Sequence, residues 1–182
     1  VGGAAAARTS SGLASWIQAN TSAAANGANG AVAGVDTPGV LRTDGTQRAF
    51  TEAQLKGVAA SCWNSGGDPS MIMLGSFNKQ KLSGFTGGST KMTQADDKKL
   101  VAAIDIYESD FGSMTVVPNR FSRSRDVFVL QPDMWAVAYL RDFQMIDLAK
   151  TGDAEKKAML AEYTLVAKNE AANGAIFDLT TA

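Results

Sequence analysis

Any chemistry in this chain has to proceed without histidine: of 182 residues none is His and one is Cys. The commonest general acid–base group and the commonest metal ligand are both missing. Cys62 alone can form neither an intrachain disulfide nor a cysteine-based zinc site, and at helical spacing in an apolar stretch it reads as a small core residue. Three segments carry residues of catalytic type. Asp110-Phe111-Gly112 spells the metal-binding triplet of protein kinases, but the His-Arg-Asp loop cannot exist here, so the triplet reads as a hairpin turn with glycine supplying an unusual backbone angle. Gly84 to Lys91 (GFTGGSTK) has the flavour of a phosphate loop yet lacks the Gly-Lys-Ser/Thr ending, so it reads as a flexible loop. In Asp96-Asp97-Lys98-Lys99 the lysines neutralise the paired carboxylates and leave a solvated face. No EF-hand spacing occurs, and no catalytic, metal-binding or cofactor-binding residue emerges. The many acids keep one enzymatic reading open, a carboxylate-pair glycosidase, which needs two acids converging about 5–10 Å apart.

Residue types suited to protein contact are better represented. Arg120, Arg123 and Arg125 form a basic cluster that suits bidentate pairing with carboxylates across a subunit boundary, or contact with nucleic acid. Trp135, Tyr139, Arg141 and Phe143 are of the kinds enriched at interfaces, with ordinary core an equal reading for Trp135. Lys and Arg number 17 against 18 Asp and Glu, which argues against a dedicated nucleic-acid binder. Hydrophobic residues make up 45% and charged residues 19%, a globular balance. No apolar run approaches the roughly 20 residues that span a bilayer.

The elements that must position these residues change character along the chain. Residues 1–49 read as a short helix carrying Leu13, Trp16 and Ile17, then loop. A firmer helix starts at Thr51 as cap, with Phe50 and Leu55 as staple and Leu55, Val58, Ala59 and Cys62 on one side, and stops at SGGDP. Met71 to Gly75 suits a buried strand, and Ser76 could cap a following helix. Strands are then expected with Ile104 and Ile106 on one face, with Met114 and Val116 on one face of a return strand limited by Pro118, at Val127 to Leu130, and at Met134 to Leu140. Met159, Ala161, Tyr163, Leu165 and Ala167 alternate as a long strand should, although the composition also suits a helix.

Residues 50–180 resemble a known family, most specifically through SDFG followed by VVPNRF, and through LAKTGDAEK, EYTL and NE further on. The chain is similar to the major capsid proteins of tailed bacteriophages with the Hong Kong 97-type fold. The resemblance implies an α+β protein with an α/β axial lobe over residues 35–140. It also implies a peripheral lobe with long β-strands, built from a 1–34 segment and residues 141–182. The N-terminal arm, extended loop and spine helix of such subunits are absent, so the chain is expected to be the C-terminal portion of a subunit. The implied function is a non-enzymatic shell protein whose copies form pentamers and hexamers of an icosahedral head. Other virion proteins and nonspecific contact with packaged double-stranded DNA are further partners; no membrane and no cofactor are involved. Candidate interface residues are Arg120, Arg123, Arg125, Trp135, Arg141, Lys150, Asp153, Glu155 and Lys156. A decoration or binding module that coats another assembly is the alternative.

Overall fold

The computed structural model describes residues 10–30, 42–85, 105–150 and 152–181. The sequence logic is clearest at α2 (Glu52–Asn64). The Thr51 hydroxyl accepts from the Gln54 amide at 3.4 Å and the Gln54 side chain accepts from the Thr51 amide at 3.2 Å, a reciprocal capping box. Phe50 and Leu55 are buried in one cluster on either side of that cap. Leu55, Val58, Ala59 and Cys62 form the buried face, as their spacing predicts. The helix ends before Gly66, whose φ of +82° suits a residue without a side chain.

Among the described residues six strands make the main sheet: β1 (Asn20–Ser22), β2 (Met71–Leu74), β3 (Ile106–Ser109), β4 (Gly112–Pro118), β5 (Val127–Leu130) and β8 (Gly174–Ile176), in the order β1-β8-β5-β2-β4-β3. The β1–β8 and β2–β4 pairs are parallel and the others antiparallel. Strand alternation divides the core in two. Ile72, Leu74, Val127 and Val129 join α2 and Leu82 of α3 (Ser76–Ser83) on one side. Met71, Met73, Phe128 and Leu130 meet Phe177 and the short α1 (Leu13–Trp16) with Ile17 on the other. Beside this body stands a hairpin of two long strands, β6 (Trp135–Asp147) and β7 (Lys157–Ala167), forming a sheet of their own. The result is a mixed α+β protein with a sheet-dominated core.

Several expectations need correction. Residues 20–22, expected as loop, form β1; Asn-Thr-Ser has no strand pattern and is held by β8, some 150 positions away. Gly75, not Ser76, caps α3, and among the described residues no side chain serves that end. In β3, Ile106 faces solvent while Tyr107 fills the core. Ile104, Asp96 to Lys99 and most of the Gly84–Lys91 segment lie outside the described residues. β6 runs on to Asp147, well past Leu140. Within residues 141–182, β7 completes the hairpin and β8 lies in the main sheet between β1 and β5. Three residues of β8 are too few to announce a separate strand.

Candidate assembly surface

One face of the hairpin carries its aromatic residues, and the other mixes Ala136, Ala138, Leu160 and Val166 with Arg141, Gln144, Glu162 and Thr164. Trp135, Val137 and Tyr139 of β6 stand opposite Ala167, Leu165 and Tyr163 of β7, and Met145 stands opposite Met159. Plain alternation would put Arg141 on this same apolar face. It does not lie there, because the register shifts twice, between Tyr139 and Arg141 and again between Arg141 and Gln144. Each shift adds one residue to β6, so the pair of bulges moves one charged side chain to the other face and returns the apolar phase. Arg141 then pairs with Glu162, Nε to Oε2 3.7 Å. Tyr139 contacts Phe143 and Tyr163 at ring centroid separations of 6.2 and 5.9 Å. Val137, Tyr139, Phe143, Met145, Met159 and Tyr163 remain between 54% and 71% exposed. A contiguous apolar face of this kind is a mark of protein contact, and a lone two-stranded hairpin has little stability of its own.

The base of the hairpin is rooted. Trp135 packs against the α1-side core and donates its indole N–H to Asn173 Oδ1 at 2.8 Å. The same oxygen accepts from the Gln131 amide at 2.8 Å, and Asn173 Nδ2 donates to the Asn169 carbonyl at 2.9 Å. Lys168 closes the base, its amide donating to the Met134 carbonyl at 2.8 Å. Trp135 is therefore an anchor that aims the hairpin. At the far end Lys150 and Glu155 pair at 2.9 Å and Asp147 and Lys157 at 3.5 Å, so two of the expected interface residues bind each other across the tip. Asp153 and Lys156 are exposed beside them. Exposed pairs such as these contribute about 0–1 kcal/mol each.

Two arginines of the cluster are engaged within the subunit. Arg123 holds Asp44 with Nη2 at 2.8 and 2.7 Å from its two oxygens, and Arg125 donates to the Gly45 carbonyl at 2.7 Å and lies 3.6 Å from Asp178. Asp178, buried and at φ +62°, also accepts from Arg42, from the Gly45 amide at 2.8 Å and from the Ala24 amide at 3.1 Å. Arg42 stacks 4.0 Å over the Phe177 ring. Burial pulls the Asp178 carboxyl upward, but the bonds from Gly45, Arg42 and Ala24 outweigh it and hold it below the ordinary range. This node ties Ala24, residues 42–45, the 123–126 turn and Asp178 together. Of the three expected arginines only Arg120 stays exposed and outside any ion pair among the described residues. Asp44, Asp126 and Asp178 gather around the guanidiniums of Arg42, Arg123 and Arg125 as structural ion pairs.

Asp126 is the node's weak point. It is fully buried, neither oxygen has a hydrogen-bond partner among the described residues, and Arg123 Nη1 is 3.6 Å away. Burial pushes its carboxyl up to about 6, against the pull of Arg123 and Arg42. Between its ordinary 3.8 and about 6 the folded chain keeps a proton that the unfolded chain has released. Its contribution to stability is therefore full below about pH 4 and is lost as pH rises through 6. Thermal melts should show Asp126→Asn abolishing a decline of about 1–3 kcal/mol between pH 4.5 and 7 that the unaltered chain displays. An identical pH profile in the two proteins would remove this assignment.

Sequence reasoning missed Arg42, Asp44, Asp126, Asn173 and Asp178. They are single polar residues in unremarkable contexts, and only the tertiary fold assembles them.

A family model described as the SU10 major capsid protein matches residues 1–180. The chain belongs to the SU10 major capsid protein family. The match extends through the first 49 residues, which carry none of the motifs noted above. Membership in this capsid family makes the role of the chain structural. Among solved structures, a virus-like particle from Pyrococcus furiosus aligns with 13% identity and a TM-score of 0.43, over 72% of this chain and 55% of that one, so the aligned part spans about half the length of that chain. No curated protein matches it. Among the described residues no helix is long and apolar enough to cross a membrane, and no group of three or more Cys, Asp or Glu side chains could hold a metal ion.

Proposed function

We propose that this SU10-family chain is a non-enzymatic tile of an icosahedral phage head, joining pentamers and hexamers that close around double-stranded DNA. The observation that carries the reading is the exposed apolar face of the β6–β7 hairpin, which gains little stability until another surface covers it. In this reading the subunit has the Hong Kong 97-type architecture. The six-stranded sheet with α2 and α3 is the axial lobe near the capsomer centre. The hairpin is the peripheral lobe, and its outward reach lets one subunit touch several neighbours. Rings of this kind use head-to-tail contacts whose rotation closes. Trp135 and Asn173 set the angle of the hairpin, and the Lys150–Glu155 tip with Arg141, Asp153 and Lys156 lines its polar margin. Contact with packaged DNA is weak and nonspecific, in keeping with a net charge of -1. Electron microscopy and light scattering of the full-length product test the proposal. Closed particles are expected. Monomers or small oligomers at high concentration, or lattices that form only on another protein's shell, would favour a decoration module instead.

A further inference from the structure

Two further exposed aromatic features lie at opposite ends of β4. At its start Trp63, in the last turn of α2, contacts Phe111 of the β3–β4 turn at a centroid separation of 5.6 Å, and Trp63 is 56% exposed. Glu108 and Asp110 are exposed in that strand and turn, and Asp68 lies alongside, its Oδ1 3.9 Å from the position a Cβ on Gly112 would take. No ion pair engages any of these three among the described residues; the nearby Lys56 is held by Glu52 at 2.9 Å. This end is aromatic with Asp68 and Asp110 as its acidic rim, while Glu108, next to the buried Tyr107 in β3, lies on the opposite face.

The other end carries the reverse charge. Phe121 is 90% exposed and follows Arg120, which is unpaired among the described residues. The loop that presents them is built firmly. Asn119 donates its amide to the Leu74 carbonyl at 2.9 Å, its side chain accepts from the Phe121 amide at 2.9 Å, and its carbonyl accepts from the Ser122 amide at 3.2 Å. Arg123 clamps the other side of the loop onto Asp44. A rigidly held aromatic beside an arginine loses little freedom on binding, which is the character of an interface anchor.

We infer that the Arg120–Phe121 loop of one copy docks against the acidic-rimmed Trp63–Phe111 surface of the next copy, head to tail. The seven residues of β4 separate the two surfaces by roughly 20 Å. Two complementary patches at opposite ends of one rigid strand cannot meet within a subunit, and between subunits they make the heterologous contact from which rings are built. Opposite charge at the two patches selects this pairing over like meeting like. The inference rests on the shell reading above and adds which surfaces meet.

Cysteine crosslinking in particles of the full-length product tests it. In a Trp63→Cys, Phe121→Cys double variant, mild oxidation should give a reducible ladder of covalent oligomers, and neither single variant should. The native Cys62 is buried with its thiol pushed up to about 12, so it stays silent. Phe121→Ser alone should cut particle yield at least tenfold with the melting temperature of the subunit unchanged. If the double variant does not assemble, the two single variants are mixed with excess unaltered subunits. Disulfide-linked dimers that join one Trp63→Cys copy to one Phe121→Cys copy are then expected. Shells that form normally but give no crosslink overturn this contact and leave the shell reading standing. Failure of the unaltered protein to form particles overturns both.

Discussion

Asp178→Asn should lower the stability of the chain by about 3–5 kcal/mol, measured by chemical denaturation at pH 7. The substitution is nearly isosteric, and asparagine tolerates the left-handed backbone that Asp178 adopts at φ +62°. Packing and turn geometry are therefore kept, and what is lost is one charge. That charge faces Arg42, whose side chain is 1% exposed and which would be left buried beside a neutral amide. The Asp178 carboxylate is also the meeting point of the Gly45 and Ala24 amides and lies near Arg125, so its loss loosens three segments together. Losing the charge also removes a second feature. The depressed carboxyl of Asp178 contributes stability that is present above the ordinary pKa and fades as pH falls toward its folded value. Asp126 acts in the opposite sense, so the unaltered chain should be most stable in mildly acidic solution, and Asp178→Asn should flatten only the acidic side of that profile. A loss below about 1 kcal/mol would show that Arg42 has another route to solvent or charge.

Tyr139→Asp with Tyr163→Asp should abolish particle formation while the main sheet remains folded. The two tyrosines stand directly opposite each other in the hairpin, so the double change places two like charges at the centre of its apolar face. Anchors of this kind contribute about 2 kcal/mol or more each to an interface, so the pair should weaken each subunit contact by at least about a thousandfold. Arg141→Ala with Glu162→Ala is the matching control. These residues occupy the other face after the double bulge, their ion pair is exposed, and particle yield should change by no more than a few-fold. Sedimentation of freshly purified protein separates the outcomes, and near-ultraviolet circular dichroism reports whether the core around Phe128 and Phe177 has survived. If the tyrosine variant assembles as well as the control, the apolar face is not an assembly surface.

The parts of this fold that are legible in the sequence are those whose signal is local. The α2 cap needs four residues, Thr51 to Gln54 with Phe50 behind it, and its buried stripe repeats within two turns. β5 is four apolar residues in a row, and the alternation of β7 over eleven residues survives its helix-forming composition because Tyr139, Leu165 and their neighbours pair across the hairpin. What stays hidden depends on distant partners. β1 is Asn-Thr-Ser and takes its conformation from Gly174 to Ile176. In β3, Ile106, though apolar, belongs to the exposed side and Tyr107 takes the core position. The arginines are legible as carboxylate binders, but no local pattern tells that Asp44 and Asp178 come to them from two distant parts of the chain. Bulges are likewise silent in composition: nothing in LRDF distinguishes a register shift from plain alternation, yet that shift decides whether Arg141 interrupts the aromatic face.

A cryo-electron microscopy map of particles formed by the full-length product tests the account most directly. It should show a closed shell in which the face bearing Tyr139, Phe143, Met145 and Tyr163 lies at a boundary between subunits, out of contact with water. A shell in which this face is bare, or shielded wholly by its own subunit, would contradict the account.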